Sequence, residues 1–109
     1  PDSDLLRIGL AQALLSDENR TDTAQALAVL SPVQSDLPHV WRLKATAYGR
    51  AGNFGLAAYA LAEYNLAAGD LRQAEHFARK AADILSAGDS AALKARDILE
   101  DLRENRPRK

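Results

Sequence analysis

The sequence predicts an all-α fold, a right-handed α-solenoid of about three helical hairpins made from six helices. Three observations predict it. Apolar residues recur at three- and four-residue spacing along nearly the whole chain. Helix-length stretches are separated by short turn signals at Gly52-Asn53, Gly69-Asp70 and Gly88-Asp89. Bulky anchors recur at Leu5, Trp41 and Phe77, at a constant spacing of 36 residues. Such a period marks stacked two-helix units, none of which buries its apolar face alone.

In chain order, Asp2-Ser3-Asp4 offers N-cap oxygens and early negative charge. Leu5, Ile8, Gly9 and Gln12 follow on a first helix that runs to about Leu15. Residues 16–20 read as a polar loop. Asp22 with Gln25 reads as a capping box that opens a short second helix bearing Ala24, Leu27, Ala28 and Leu30. Pro32 and Pro38 bracket a linker, and Pro38 suits the first turn of the third helix. That helix presents Trp41, Ala45 and Tyr48 on one face and ends near Arg50. Phe54, Ala57, Leu61, Tyr64 and Ala68 define the fourth helix. Leu71, Ala74, Phe77, Ala78, Ala81, Ile84 and Leu85 form the cleanest amphipathic stripe in the chain, the fifth helix. Asp89-Ser90 caps the sixth, which turns Ala91, Ala95, Ile98, Leu99 and Leu102 inward.

These elements make a single domain over 1–104, with repeats at 3–31, 38–68 and 71–104, followed by a flexible basic tail at 105–109. A competing register begins a repeat motif at Gly69-Asp70-Leu71-x-x-Ala74. It changes which face of the fifth helix is concave, not the fold.

Composition narrows the function. Apolar residues make up 47% of the 109, enough for one domain with a modest core. The net charge of −1, with both signs interspersed, argues against a nucleic-acid footprint, which needs clustered Lys and Arg. No apolar run approaches the roughly 20 residues that span a bilayer, so no membrane insertion is expected. The absence of cysteine removes disulfide and thiolate chemistry. The chain opens on Pro1 rather than Met, which reads as a fragment or processed piece.

No catalytic constellation emerges. His39 and His76 lie far apart, and no His-Glu-x-x-His zinc motif is present. Gly52 and Gly69 stand singly at turns rather than in a phosphate-binding loop. Lys44 and Lys80 occupy repeat-equivalent positions and read as snorkelling stems on half-exposed helix faces. The expectation is no catalytic residue, no metal site and no cofactor within this chain.

The central pattern is Trp41-x-x-Lys44-Ala45-x-x-Tyr48-x-x-x-Gly52, followed by Ala57. It resembles the first-helix signature of a tetratricopeptide repeat, with Leu5, Trp41, Tyr48, Gly52, Ala57 and Phe77 as structural anchors. The wider run is more specific. It comprises Ala45-x-Ala47-Tyr48-Gly49-Arg50-x-Gly52, then Ala57-x-x-Ala60-Leu61-Ala62-Glu63-Tyr64, then Gly69-Asp70-x-Arg72-Gln73-Ala74. Together with the trailing Leu93-x-Ala95-x-Asp97-Ile98-Leu99 helix, it resembles the C-terminal tetratricopeptide domain of the BepA-type periplasmic zinc metallopeptidases, a group related to HtpX. The resemblance covers about residues 3–104.

It implies a non-catalytic module that recruits substrates or assembly partners for a peptidase domain absent from this chain. Zinc would then belong to the parent protein, and the location would be periplasmic. The residues themselves select neither periplasm nor cytoplasm. A freestanding repeat scaffold or co-chaperone with no peptidase parent is the alternative.

In a tetratricopeptide superhelix the first helix of each hairpin lines a concave groove that takes a protein or peptide ligand. Counting from Trp41 places His39, Arg42, Thr46 and Arg50 there, with Leu6 and Leu10 from the first repeat and Glu75 and Ala78 from the third. Such a groove is apolar at one end and basic in the middle.

Overall fold

The computed structural model describes residues 2–16, 20–33 and 37–105. All regular structure among them is helical: α1 (Asp2–Leu15), α2 (Arg20–Leu30), α3 (Pro38–Arg50), α4 (Phe54–Ala68), α5 (Leu71–Ile84) and α6 (Ser90–Asn105). The helices pack as successive hairpins in a solenoid-like stack measuring 46 × 28 × 21 Å.

Two turns direct the second half of the chain, and both use one device. Gly52 and Gly69 adopt left-handed φ values of 80° and 84°, which a side chain would strain. At the first turn Asn53 N–H donates to Tyr48 O at 2.9 Å and Gly52 N–H to Gly49 O at 3.1 Å. At the second, Asp70 N–H donates to Asn65 O at 2.9 Å and Gly69 N–H to Leu66 O at 3.2 Å. Each pair satisfies carbonyls left open at a helix end, the Schellman arrangement. The next helix is then capped at once. Asn53 Oδ1 accepts from Leu56 N–H at 3.4 Å, and Asp70 Oδ1 accepts from Gln73 N–H at 3.2 Å. Every partner in the second turn lies 17 positions after its counterpart in the first.

Boundaries differ from expectation mainly in the first hairpin. α1 already begins at Asp2, so Asp2, Ser3 and Asp4 form its first turn rather than preceding it. α2 begins at Arg20, which puts Asp22 within the helix, and the side chain of Asp22 lies outside the described residues. α3 and α4 have the expected limits, with Pro38 in the first turn of α3. α6 extends through Asn105, and the rest of the expected tail lies outside the described residues.

The core divides in two. Ala11 and Leu15 of α1, Ala26 and Leu30 of α2, and Ala47 of α3 form one cluster. The other gathers Ala58, Tyr59 and Ala62 of α4, Ala74, Ala78 and Ala81 of α5, and Ala91, Ala95, Ile98 and Leu102 of α6. Trp41, Phe77, Leu85 and Leu99 pack around its margin, half-buried. α3 serves both clusters, turning Leu43 and Ala47 to the first and Trp41 to the second.

Contacts between non-consecutive helices join α1 to α3 and α4 to α6, while α3 and α5 are not among the helix pairs in contact. A uniform 36-residue repeat would place α5 beside α3. The chain instead builds two three-helix units, α1–α2–α3 and α4–α5–α6, joined along the α3–α4 hairpin. The Gly69-Asp70 turn lies inside the second unit, between α4 and α5.

Several expected faces shift accordingly. Leu5 is 72% exposed and wedges nothing, whereas Trp41 and Phe77 both pack on the second cluster. The inner face of α1 is Ile8, Ala11 and Leu15, with Gly9 and Gln12 outside. In α2 the buried residues are Thr23, Ala26 and Leu30, and Ala24 and Ala28 face out. In α4 the buried set is Gly55, Ala58, Tyr59, Ala60 and Ala62, while Phe54 and Ala68 are exposed. α4 is apolar nearly all round, so its periodicity carries no face information. Ala58 and Ala62 lie in the core.

The tightest fit is at Gly55. A Cβ there would meet Leu85 Cδ2 at 2.6 Å and Leu85 Cγ at 2.8 Å. A Cβ on Gly49 in α3 would meet nothing within 4 Å. Gly55→Ala is therefore expected to destabilise by about 1–3 kcal/mol through overpacking, and Gly49→Ala to stabilise by about 0.4–1 kcal/mol. Chemical denaturation of the two variants checks the opposite signs. In the same assay Leu5→Ala should change stability by less than about 0.5 kcal/mol. Leu30→Ala, at a fully buried site, should cost about 2–5 kcal/mol.

Candidate functional site

The expected groove residues do not share one surface. His39, Arg42, Thr46 and Arg50 all sit exposed along one side of α3, because the other sides of that helix serve the two clusters. Leu6 and Leu10 are 75% and 52% exposed on α1, where they line a recess with Arg7 and with Val29 of α2. The four polar residues of α3 make the exposed α1–α3 face, and the two leucines lie toward α2. Glu75 and Ala78 do not join it, since α5 does not reach α3. Ala78 is fully buried between α5 and its neighbours, and Glu75 ion-pairs with Arg79 at 3.0 Å beside α6. A groove running from α1 through α3 to α5 is thus absent among the described residues, for the reason that splits the core.

Two residues of the α1–α3 face have local duties. The Arg50 guanidinium donates to Leu15 O at the C-terminal end of α1, where open carbonyls and the helix dipole favour a cation. This bond ties α3 to α1. Thr46 Oγ1 donates to Arg42 O at 3.0 Å, one turn back on the same helix. Arg42 and His39 are the polar side chains of this line with no bond of that kind among the described residues.

The remaining anchors divide between turn and core. Gly52 makes the α3–α4 turn. Ala57 and Tyr48 are half-buried, and Phe77 packs at the core margin with its ring edge-on to His76, centroids 4.9 Å apart.

A second recess, of about 220 Å³, opens between α3, α4 and the start of α6. Trp41, Lys44 and Tyr48 reach it from α3, Leu56 and Tyr59 from α4, and Lys94 from α6. Trp41 meets Tyr59 edge to face, centroids 5.8 Å apart at 84°. The Tyr59 hydroxyl donates to Glu63 Oε2 at 2.5 Å. Burial first, then this bond to Glu63, pushes the Tyr59 hydroxyl well above the usual tyrosine range.

Lys44 is not the free snorkelling stem expected. Its Nζ donates to Val33 O at 3.0 Å and lies 4.8 Å from the Trp41 ring centroid, a cation–π distance. Burial, then the Lys94 charge, lowers its pKa. Lys80, its repeat equivalent, is exposed. The sequence held one signal for this recess. Lys44 sits on the inward stripe Trp41-Lys44-Tyr48, where an apolar residue would serve packing better. Lys94 and Tyr59 carried no signal, because helices distant in sequence bring them together.

Among the described residues no three His, Cys, Asp or Glu side chains gather into a metal-binding group, and no helix is long and apolar enough to cross a membrane. Comparison with protein-family models, with curated proteins and with solved structures finds no match for this chain.

The raised Tyr59 pKa carries a sign. Above the ordinary tyrosine value near 10, the unfolded chain releases the proton while the folded chain keeps it. The unfolded state then binds fewer protons, and stability falls as pH rises through that range. Alkaline titration of tyrosinate absorbance should show a late component that Tyr59→Phe removes, and the Phe variant should lose less stability above pH 10 than the parent.

Proposed function

We propose that this chain is a non-catalytic protein-interaction module of tetratricopeptide type, presenting the α1–α3 face to a partner segment. One observation carries the reading. Arg42, His39 and Thr46 lie exposed on one side of a helix whose other sides are committed to two cores. An exposed polar helix face that carries a cation suits a partner segment with acidic residues. Arg50 contributes by fixing α3 against α1 rather than by meeting the ligand.

The sequence resemblance extends the proposal. The module would recruit substrates or assembly partners for a zinc metallopeptidase of the BepA type, in the periplasm. The alternative parent is a scaffold or co-chaperone without peptidase activity. The complete open reading frame separates them, since a parent without His-Glu-x-x-His removes the peptidase half of the proposal.

Binding is tested by site-specific photocrosslinking in a Gram-negative envelope extract. A photoreactive residue at Thr46 should capture a discrete partner, and one at Asp97, exposed on α6, should not. Arg42→Glu should lower the Thr46 yield several-fold. Equal capture from both positions would remove the α1–α3 face from the reading.

A further inference from the structure

The recess between α3, α4 and α6 is a second surface, separate from the α1–α3 face. We infer that it receives a carboxylate side chain from an acidic peptide segment, with the carboxylate held by Lys44 and Lys94 and its stem lying against Trp41 and Leu56.

Three features of the recess point to that occupant. Two lysines line it and no Asp or Glu does. Glu63, the one acid of α4, accepts from the Tyr59 hydroxyl, and Asp89 lines the neighbouring recess with Asn53. Lys94 has no partner among the described residues, and Lys44 has a neutral carbonyl and an aromatic face rather than an anion. Like charges gathered in a partly desolvated recess repel, and an anion between them reverses that term. Burial, and after it the Lys94 charge, lowers the Lys44 pKa.

Size and wall chemistry narrow the anion further. A volume of about 220 Å³ holds one side chain and leaves the partner's main chain outside. Trp41, Leu56 and Ala91 give the methylene stem of a glutamate an apolar wall, while Tyr48 and Ser90 bring hydroxyl groups to the same recess. An inorganic anion would leave that apolar wall uncovered.

Trp41 is the single tryptophan and lines the recess, so its emission reports occupancy directly. The probes are a short acetylated and amidated peptide rich in glutamate, its glutamine counterpart, and the glutamine peptide with a free C-terminus. The glutamate peptide should shift Trp41 emission saturably and bind more weakly as salt is raised. The glutamine peptide should bind about tenfold more weakly, the loss of one charge-assisted contact. Lys94→Gln should weaken the glutamate peptide by a similar factor and Lys94→Arg should restore it. Lys94 is exposed, so both variants should fold. Arg42→Glu, on the other face, should leave the titration unchanged.

Equal binding of the glutamate and glutamine peptides, no response to glutamate, or indifference to Lys94→Gln would overturn the inference. So would binding confined to the free-terminus peptide, which would assign the recess to a chain end. Loss of binding in Arg42→Glu with Lys94→Gln unaffected would overturn it while supporting the α1–α3 face.

Discussion

The close approach of α4 to α5 and α6 governs the arrangement of the second half of the molecule. Ala58 and Ala62 on α4 face Ala74, Ala78 and Ala81 on α5 in a cluster that α6 completes with Ala91 and Ala95. Each of these side chains removes little apolar area from water. Their value is steric, because a methyl group lets helix backbones come near enough for dispersion contacts along the full length of the pair. Gly55 is the extreme case, where even a methyl group would collide with Leu85. The bulky residues are consequently pushed to the margin, and Trp41, Phe77, Leu85 and Leu99 are half-buried rather than central.

That seam also explains why the stack is not uniform. Once α6 lies against both α4 and α5, the face of α4 that α6 covers is closed, and α5 has no contact with α3. α3 is left as the joint between two cores, with one side open to solvent. The polar line His39, Arg42, Thr46 and Arg50 occupies that side. The Arg50 tie to Leu15 O keeps α1 alongside α3.

The recess has the same cause. Trp41 sits at the margin because the alanine seam has no room for it, and its ring then becomes a wall on which Lys44 rests. α6 starts beside it and supplies Lys94. The two surfaces differ in kind. One is an open helix face, and the other is a small concavity lined by two lysines.

The sequence by itself determined six helices, the limits of α3 and α4, and the amphipathic α5. These follow from local chemistry. The Gly-Asn and Gly-Asp turns close hydrogen bonds between residues at most five apart, and Asn53 and Asp70 cap the helices that follow them. Only the tertiary structure decided the register of the stack, the inner faces of α1, α2 and α4, and the meeting of Lys44 with Lys94. Alanine gains little from burial and loses little from exposure, so an alanine-rich helix does not announce its inner face. Leu5 repeats the spacing of Trp41 and Phe77 without sharing their burial, because burial depends on which helix arrives alongside, and none covers that side of α1.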